Sequence, residues 1–239
     1  MTTSDTLTFN WLEGSNPQPD LWSKYGLGTD DEAYKPVRDL RRRRNARSTT
    51  GEINSIRGST AHVFESTGEM RHTVILDADW RVERYQNQPK QLMLADGRSY
   101  TPDCKVWMRF GPPIYREIKP FKFLRDDPAL DGKVQLIADA AAAEGCKFQI
   151  ISSAWYDAFP RLRNAYWLRR AARRADQFNV ELVAELLARQ GPLPASEIAR
   201  RSGIGEAGRF AAYGLAAIQR CRLSLDEVFD DDTMFEMVV

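Results

Sequence analysis

Asp103 and the triplet Glu117-Ile118-Lys119 are the residues whose types and spacing can do chemistry. Side chains alternate along a strand, so Glu117 and Lys119 share one face, while Ile114, Arg116 and Ile118 take the other. Asp103 falls on the preceding strand, joined to this one through the turn Gly111-Pro112-Pro113. If those strands pair, Asp103 and Glu117 meet at one end of the sheet with Lys119 beside them. Two carboxylates at such a point make an oxygen-rich site for a hard divalent cation. Mg²⁺ typically takes one or two carboxylates and completes its shell with water and substrate phosphate. A lysine alongside can orient or deprotonate the attacking water and stabilise charge developing on phosphorus. These are the parts that hydrolysis of a phosphodiester needs. The same residues also describe a cross-strand salt-bridge ladder on a solvated face. Spacing by itself does not separate the two readings.

The elements that must position these groups are legible on both sides. Residues 1–55 read as an irregular arm rich in Gly, Pro, Ser, Asp and Thr, ending in a basic run that contains Arg41, Arg42, Arg43 and Arg44. From Ile56 to about Leu76 the chain reads as a helix carrying Glu65 and Glu69, with Val63, Val74, Ile75 and Leu76 as apolar points. Residues 82–123 give three β-rich segments separated by turn signals at Ala95-Asp96-Gly97 and Gly111-Pro112-Pro113. Leu130, Val134, Ile137 and Ala141 recur at helical spacing until Gly145. KFQIIS, residues 147–152, reads as a buried strand. This order predicts an α/β fold, a mixed sheet flanked by helices, over residues 56–155. Residues 160–239 read as a separate helical domain. It has an arginine-rich helix, then three helices near 179–189, 196–201 and 206–220, then two short strands, which is the order of a winged helix.

Composition narrows the field. Of 239 residues 43% are hydrophobic and 28% charged, enough for a buried core. The 34 Lys and Arg nearly cancel the 33 Asp and Glu, so only the placement of charge can speak about partners. No apolar run is long enough to span a membrane, and the first residues lack the pattern of a secretory signal. Three scattered cysteines, Cys104, Cys146 and Cys221, argue against a disulfide framework or a CxxC zinc site. A cytoplasmic location is the expectation. No GxxxxGK[ST] loop is present, so nucleotide hydrolysis is not expected of this chain.

The strings Glu65-Ser66-x-x-Glu69, Asp79, Val82, Gln88-Pro89, Gly97-Arg98-x-Tyr100-Thr101-Pro102-Asp103 and Glu117-Ile118-Lys119-Pro120 carry a resemblance. Over residues 60–125 the chain resembles the PD-(D/E)xK, restriction-endonuclease-like nucleases, and within them the TnsA-type endonuclease subunit of heteromeric transposases. The likeness extends weakly through residues 147–152, Asn164 and the C-terminal region. It implies Mg²⁺ (or Mn²⁺) as cofactor and cleavage of double-stranded DNA at the 5′ ends of a transposon. It also implies a DDE-type partner subunit like TnsB and an AAA+ regulator like TnsC, and no membrane. Glu69, Asp103, Glu117 and Lys119 are the implied catalytic residues, with Asp103, Glu117 and Glu69 as metal ligands. Glu65 is the competing helix acid. The residues leave open a stand-alone restriction or repair nuclease, and a non-catalytic DNA-binding scaffold.

Further candidates come from charge and polarity. Lys122, Arg169, Arg170, Arg173 and Arg174 are candidate phosphate contacts, and Arg209 and Gln219 candidate groove readers. Gln88 is placed to shape the site, and His62 and His72 lie near the helix acids as candidate proton carriers. Trp80, Trp107, Trp155 and Trp167 read as core or cap aromatics.

Overall fold

The computed structural model describes residues 50–56, 61–121 and 130–238. The basic run at Arg41–Arg44 and Lys122 lie outside them. The chain is a mixed α/β protein with seven helices among the described residues. In chain order the elements are β1 (Gly51–Asn54), β2 (Ala61–Phe64), α1 (Thr67–Ala78), β3 (Val82–Asn87), β4 (Leu92–Met93), β5 (Ser99–Tyr100), β6 (Cys104–Met108) and β7 (Ile114–Lys119). Then follow α2 (Leu130–Ala143), β8 (Lys147–Ser152), α3 (Ser153–Tyr156), α4 (Arg161–Arg174) and α5 (Gln177–Gln190). The chain closes with β9 (Leu193–Pro194), α6 (Ala195–Arg201), α7 (Glu206–Ala217), β10 (Cys221–Arg222) and β11 (Met234–Met237).

The central sheet has the order β3-β6-β7-β8. β3, β6 and β7 are antiparallel neighbours, and β8 joins β7 in parallel after the α2 crossover. Such a parallel pair needs a long connection, which α2 supplies. Gly145, at φ +70°, terminates the α2 turn as the sequence suggests. β8 has only Ile151 fully buried, because β8 is an edge strand rather than a central one.

The helix expected from Ile56 starts eleven residues later, at Thr67. Ala61–Phe64 instead pairs antiparallel with Gly51–Asn54, so the end of the supposed irregular arm is a strand. Ser66 decides the start of α1. Its Oγ accepts from Glu69 N at 3.1 Å and donates to Glu69 Oε1 at 2.9 Å, while Glu69 Oε2 accepts from Glu65 N at 3.0 Å. Reciprocal bonds of this kind satisfy amides that a helix N-terminus leaves orphaned.

One apolar core runs from Ile53 on β1 to Phe235 on β11, and a smaller one lies under α2 around Tyr115, Ile137 and Ala141. Buried residues on both sides of 155–160 belong to this core. Polar ties reinforce it. Asp77, with no exposed surface, accepts from Ser55 Oγ at 2.7 Å, Ile56 N at 3.1 Å, Tyr85 Oη at 2.6 Å and Arg169 Nη1 at 2.8 Å. Gln219 Nε2 donates to the carbonyls of Asp79 at 2.8 Å and Val82 at 3.2 Å. The strands β10, β11 and β9, the last from between α5 and α6, form a three-stranded antiparallel sheet in that order.

Candidate active site

β6 and β7 pair in the register Cys104↔Arg116, which sets Asp103 beside Glu117 at one end of the sheet. Asp103 Oδ2 accepts from Ile118 N at 2.7 Å, pinning the carboxylate onto β7. Behind it, Gln88 N donates to the Asp103 carbonyl at 2.9 Å. Gln88 reaches that bond from a left-handed backbone, φ +48°, and its buried Oε1 has no hydrogen-bond partner. Strain and an orphaned acceptor at one residue cost free energy that packing elsewhere must offset. Gln88 is thus a positioning residue for Asp103's backbone.

Glu117 is 9% exposed and fully engaged. Its Oε1 lies 2.6 Å from Lys119 Nζ, and its Oε2 accepts from Tyr100 Oη. Tyr100 is braced by an edge-on contact with Phe148, ring centroids 6.5 Å apart. The third carboxylate comes from α1. Glu69, in the first turn, is held by the cap bonds given above and is 9% exposed. Gly68 makes its approach feasible: a Cβ there would lie 2.9 Å from Tyr156 Oη and 3.3 Å from Ile118 Cγ2. The absence of a side chain lets α1 close onto β7 and α3.

Electrostatics record the convergence. Burial pushes the Asp103 carboxyl well above the usual carboxylate range; Glu117 and Glu69 reinforce the rise, and the Ile118 amide and Lys119 oppose it. Burial also raises Glu69, against the cap bonds from Glu65 and Ser66, with Glu65 and Glu117 adding to the rise. Burial by itself would lower Lys119, but Glu117, Asp103 and Glu69 outweigh it and raise the ammonium. Two carboxyls raised by burial and by neighbouring acids, crowded with Glu117 beside a single ammonium, form a site with an appetite for positive charge. It opens onto a cleft of about 690 Å³ lined by Glu65, Glu69, Asp103, Lys119, Tyr156 and Asp157, among others.

Several candidates sit elsewhere. Glu65 precedes the Ser66 cap, so it is not on the same helix face as Glu69; it lies at the cleft wall. Arg169 is buried, bound to Asp77 and, through Nη2 at 2.6 Å, to the Asn54 carbonyl, so it is a core tie and not a phosphate contact. Arg170, Arg173 and Arg174 are exposed. Gln219 is 3% exposed and spent on backbone carbonyls, and Arg209 is bridged to Asp231 at 2.6 Å; neither is free to read a groove. Burial drives His72 well below its ordinary value, and the nearby Arg116 guanidinium, with Nη1 3.2 Å from His72 Nε2, adds to that. A neutral acceptor imidazole in the core does not carry protons near neutral pH. His62 lies against Tyr85, ring centroids 4.3 Å apart.

Sequence reasoning left Tyr100, Ser66 and Gly68 without roles. The Ser-x-x-Glu spacing of a capping box carried the Ser66 signal. Tyr100 and Gly68 gave none, because their parts depend on β4–β5 and α3, which are distant in sequence. No family model matches the chain, and no curated protein matches it either.

Proposed function

We propose that this chain is a divalent-metal-dependent DNA endonuclease of the PD-(D/E)xK, restriction-endonuclease-like class. In this reading it is the TnsA-type subunit of a heteromeric transposase, cutting the 5′ ends of the element beside a TnsB-like DDE subunit and a TnsC-like AAA+ regulator. Elements α5–α7 with β9–β11 then constitute a winged helix that serves assembly. The observation that carries the reading is the junction of Asp103, at the start of β6, with Glu117 and Lys119 of β7, at a cleft that Glu69 also lines.

The donor set suits Mg²⁺. Among the described residues no three carboxylate, thiol or imidazole groups form a closed metal cage. Mg²⁺ does not require one, since one or two carboxylates with water and phosphate oxygens suffice. Asp103 and Glu117 would hold the ion, with Glu69 acting on it across the cleft. When bound, it polarises the phosphoryl oxygen and acidifies its water.

The chain's own residues supply the rest. Lys119, ion-paired to Glu117, would orient the attacking water and hold charge developing on the phosphate. Tyr100 holds Oε2 of Glu117, and Ile118's amide holds Asp103, so neither carboxylate must reorganise. Water adds to phosphorus and releases a proton to solvent, one P–O ester bond breaks, and the departing alkoxide takes up a proton from solvent.

Relaxation of supercoiled plasmid in Mg²⁺ tests this reading. Wild type should nick, Asp103→Asn should not, and chelation should stop the wild type. Equal nicking by Asp103→Asn, or nicking in chelator, would remove the assignment.

A further inference from the structure

α4 carries a face that the catalytic reading does not use. Arg163, Trp167, Arg170 and Arg174 are spaced i, i+4, i+7 and i+11, which places them on one side of the helix. The three arginines are exposed, and Arg173 adjoins them. Trp167 is 38% exposed, and Phe159 and Phe178, beyond the two ends of α4, are 70% and 73% exposed. The guanidinium of Arg163 stands 5.9 Å from the Phe159 ring, and that of Arg170 5.8 Å from the Trp167 ring. Trp167 is in turn braced edge-on by Phe210 and Tyr213 of α7, each at 6.1 Å. Arg163 and Arg170 are thus held on aromatic planes rather than waving in solvent.

Most other arginines of the described residues are paired with acids. Arg71, Arg81, Arg98, Arg161, Arg169, Arg189, Arg200, Arg201, Arg209, Arg220 and Arg222 each bridge a carboxylate. Among the described residues no carboxylate bridges Arg163, Arg170, Arg173 or Arg174. Carboxylates close by in the chain or in the adjoining cavity are already engaged. Asp157 is held by Arg71 at 2.5 Å, Asp176 caps α5 through Asn179 N at 3.1 Å, and Asp230 accepts from Asp232 N at 3.0 Å. Along the chain, Phe159 follows the cleft residue Asp157 by two positions.

We infer that the Arg163–Trp167–Arg170–Arg174 face of α4 is a docking track for the phosphate backbone of duplex DNA. This rests on the nuclease reading for its choice of polyanion; the track itself rests on charge and geometry. From Arg163 to Arg174 the helix rises about 16 Å. A duplex carries one charge per about 1.7 Å of axis, so about nine phosphate charges lie within that span, ample for three or four guanidinium contacts. Arginine forks suit phosphate oxygens, and the exposed rings between them exclude water from the sugar edge.

The test is fluorescence anisotropy of a labelled duplex with the full chain in chelator, across a salt series. Each of Arg163→Gln, Arg170→Gln and Arg174→Gln should reduce the salt slope by about 0.9, and at about 0.1 M salt weaken binding about eightfold. The triple variant should lose about 500-fold if the contacts are independent. Arg189→Gln, an exposed arginine on α5 bridged to Glu185, should bind as wild type. These surface changes should leave the unfolding midpoint unchanged. A triple variant that binds DNA with wild-type affinity and slope overturns the track, and so does an effect of Arg189→Gln as large as that of the stripe. Because the binding assay contains no metal, it decides for or against the track even in a chain that fails to nick plasmid, and loss of the track leaves the metal site to be judged separately.

Discussion

Asp103→Asn should make the protein more stable while abolishing cleavage. The Asp103 carboxyl is buried, and its charge is disfavoured by that burial and by Glu117 and Glu69. Its one fixed hydrogen bond, from Ile118 N at 2.7 Å, needs only an acceptor oxygen, which asparagine retains. The substitution therefore removes the burial penalty and two repulsions and loses chiefly the attraction of Lys119. Relief of this kind at functional sites is commonly worth about 0.5–2 kcal/mol. For a chain of this size each kcal/mol moves the melting temperature by about 2–4 °C, so a rise of about 1–8 °C is expected at pH 7 in chelator. The pH dependence has a definite sign. The folded carboxyl holds its proton to higher pH than the unfolded one, whose ordinary value is near 3.8. As pH rises from that value through the raised one, the unfolded chain ionises first and gains, so wild-type stability falls. Asp103→Asn should lose this residue's share of the fall. Metal reverses the order. Saturating Mg²⁺ at about a hundred times its dissociation constant should add about 2.7 kcal/mol to the wild type and almost nothing to the variant. Differential scanning calorimetry at several pH values, with and without Mg²⁺, reads all of this. A variant that melts below wild type in chelator, or that gains as much from Mg²⁺, would refute the reasoning.

Three other outcomes follow from the same geometry. Lys119→Met should slow metal-dependent nicking by two orders of magnitude or more while leaving Mg²⁺ affinity within a few-fold; kinetics and calorimetric titration separate the two, and a pure affinity loss would give Lys119 a different part. Arg169→Met should cost about 3–5 kcal/mol in denaturant unfolding, because it strands the buried Asp77 charge, and Asp77→Asn in the same chain should recover part of that loss. Ser66→Ala should remove about 1 kcal/mol through the lost helix cap and also slow nicking by loosening Glu69; a change in stability with no change in rate would separate the cap from the site.

The meeting of Asp103, Glu117 and Lys119 is more legible in the sequence than the architecture that frames it. Strand alternation and one turn were enough to bring Asp103, Glu117 and Lys119 together, because the contacts between β6 and β7 are local. The strand Ala61–Phe64 was read as helix because its partner, Gly51–Asn54, lies across residues 57–60 in a stretch with no clear period. Arg169 was grouped with its exposed neighbours on composition. Its burial follows from Asp77, ninety-two residues away, a pairing no local pattern announces. Composition shifts near residue 155, and the packing of the apolar side of helix α4 onto α1 is not legible in that shift. Gln88, Gly68 and Tyr100 matter through approach and register, which exist only once the chain has folded.

Everything proposed for catalysis requires that Asp103 and Glu117 together bind one divalent cation. Titration of Mn²⁺ followed by electron paramagnetic resonance answers that without requiring cleavage. The expected result is one bound ion per chain, displaced by Mg²⁺, lost in Asp103→Asn and Glu117→Gln, and retained in Glu65→Gln. Undiminished binding in Asp103→Asn, or no bound ion in the wild-type chain, would contradict it.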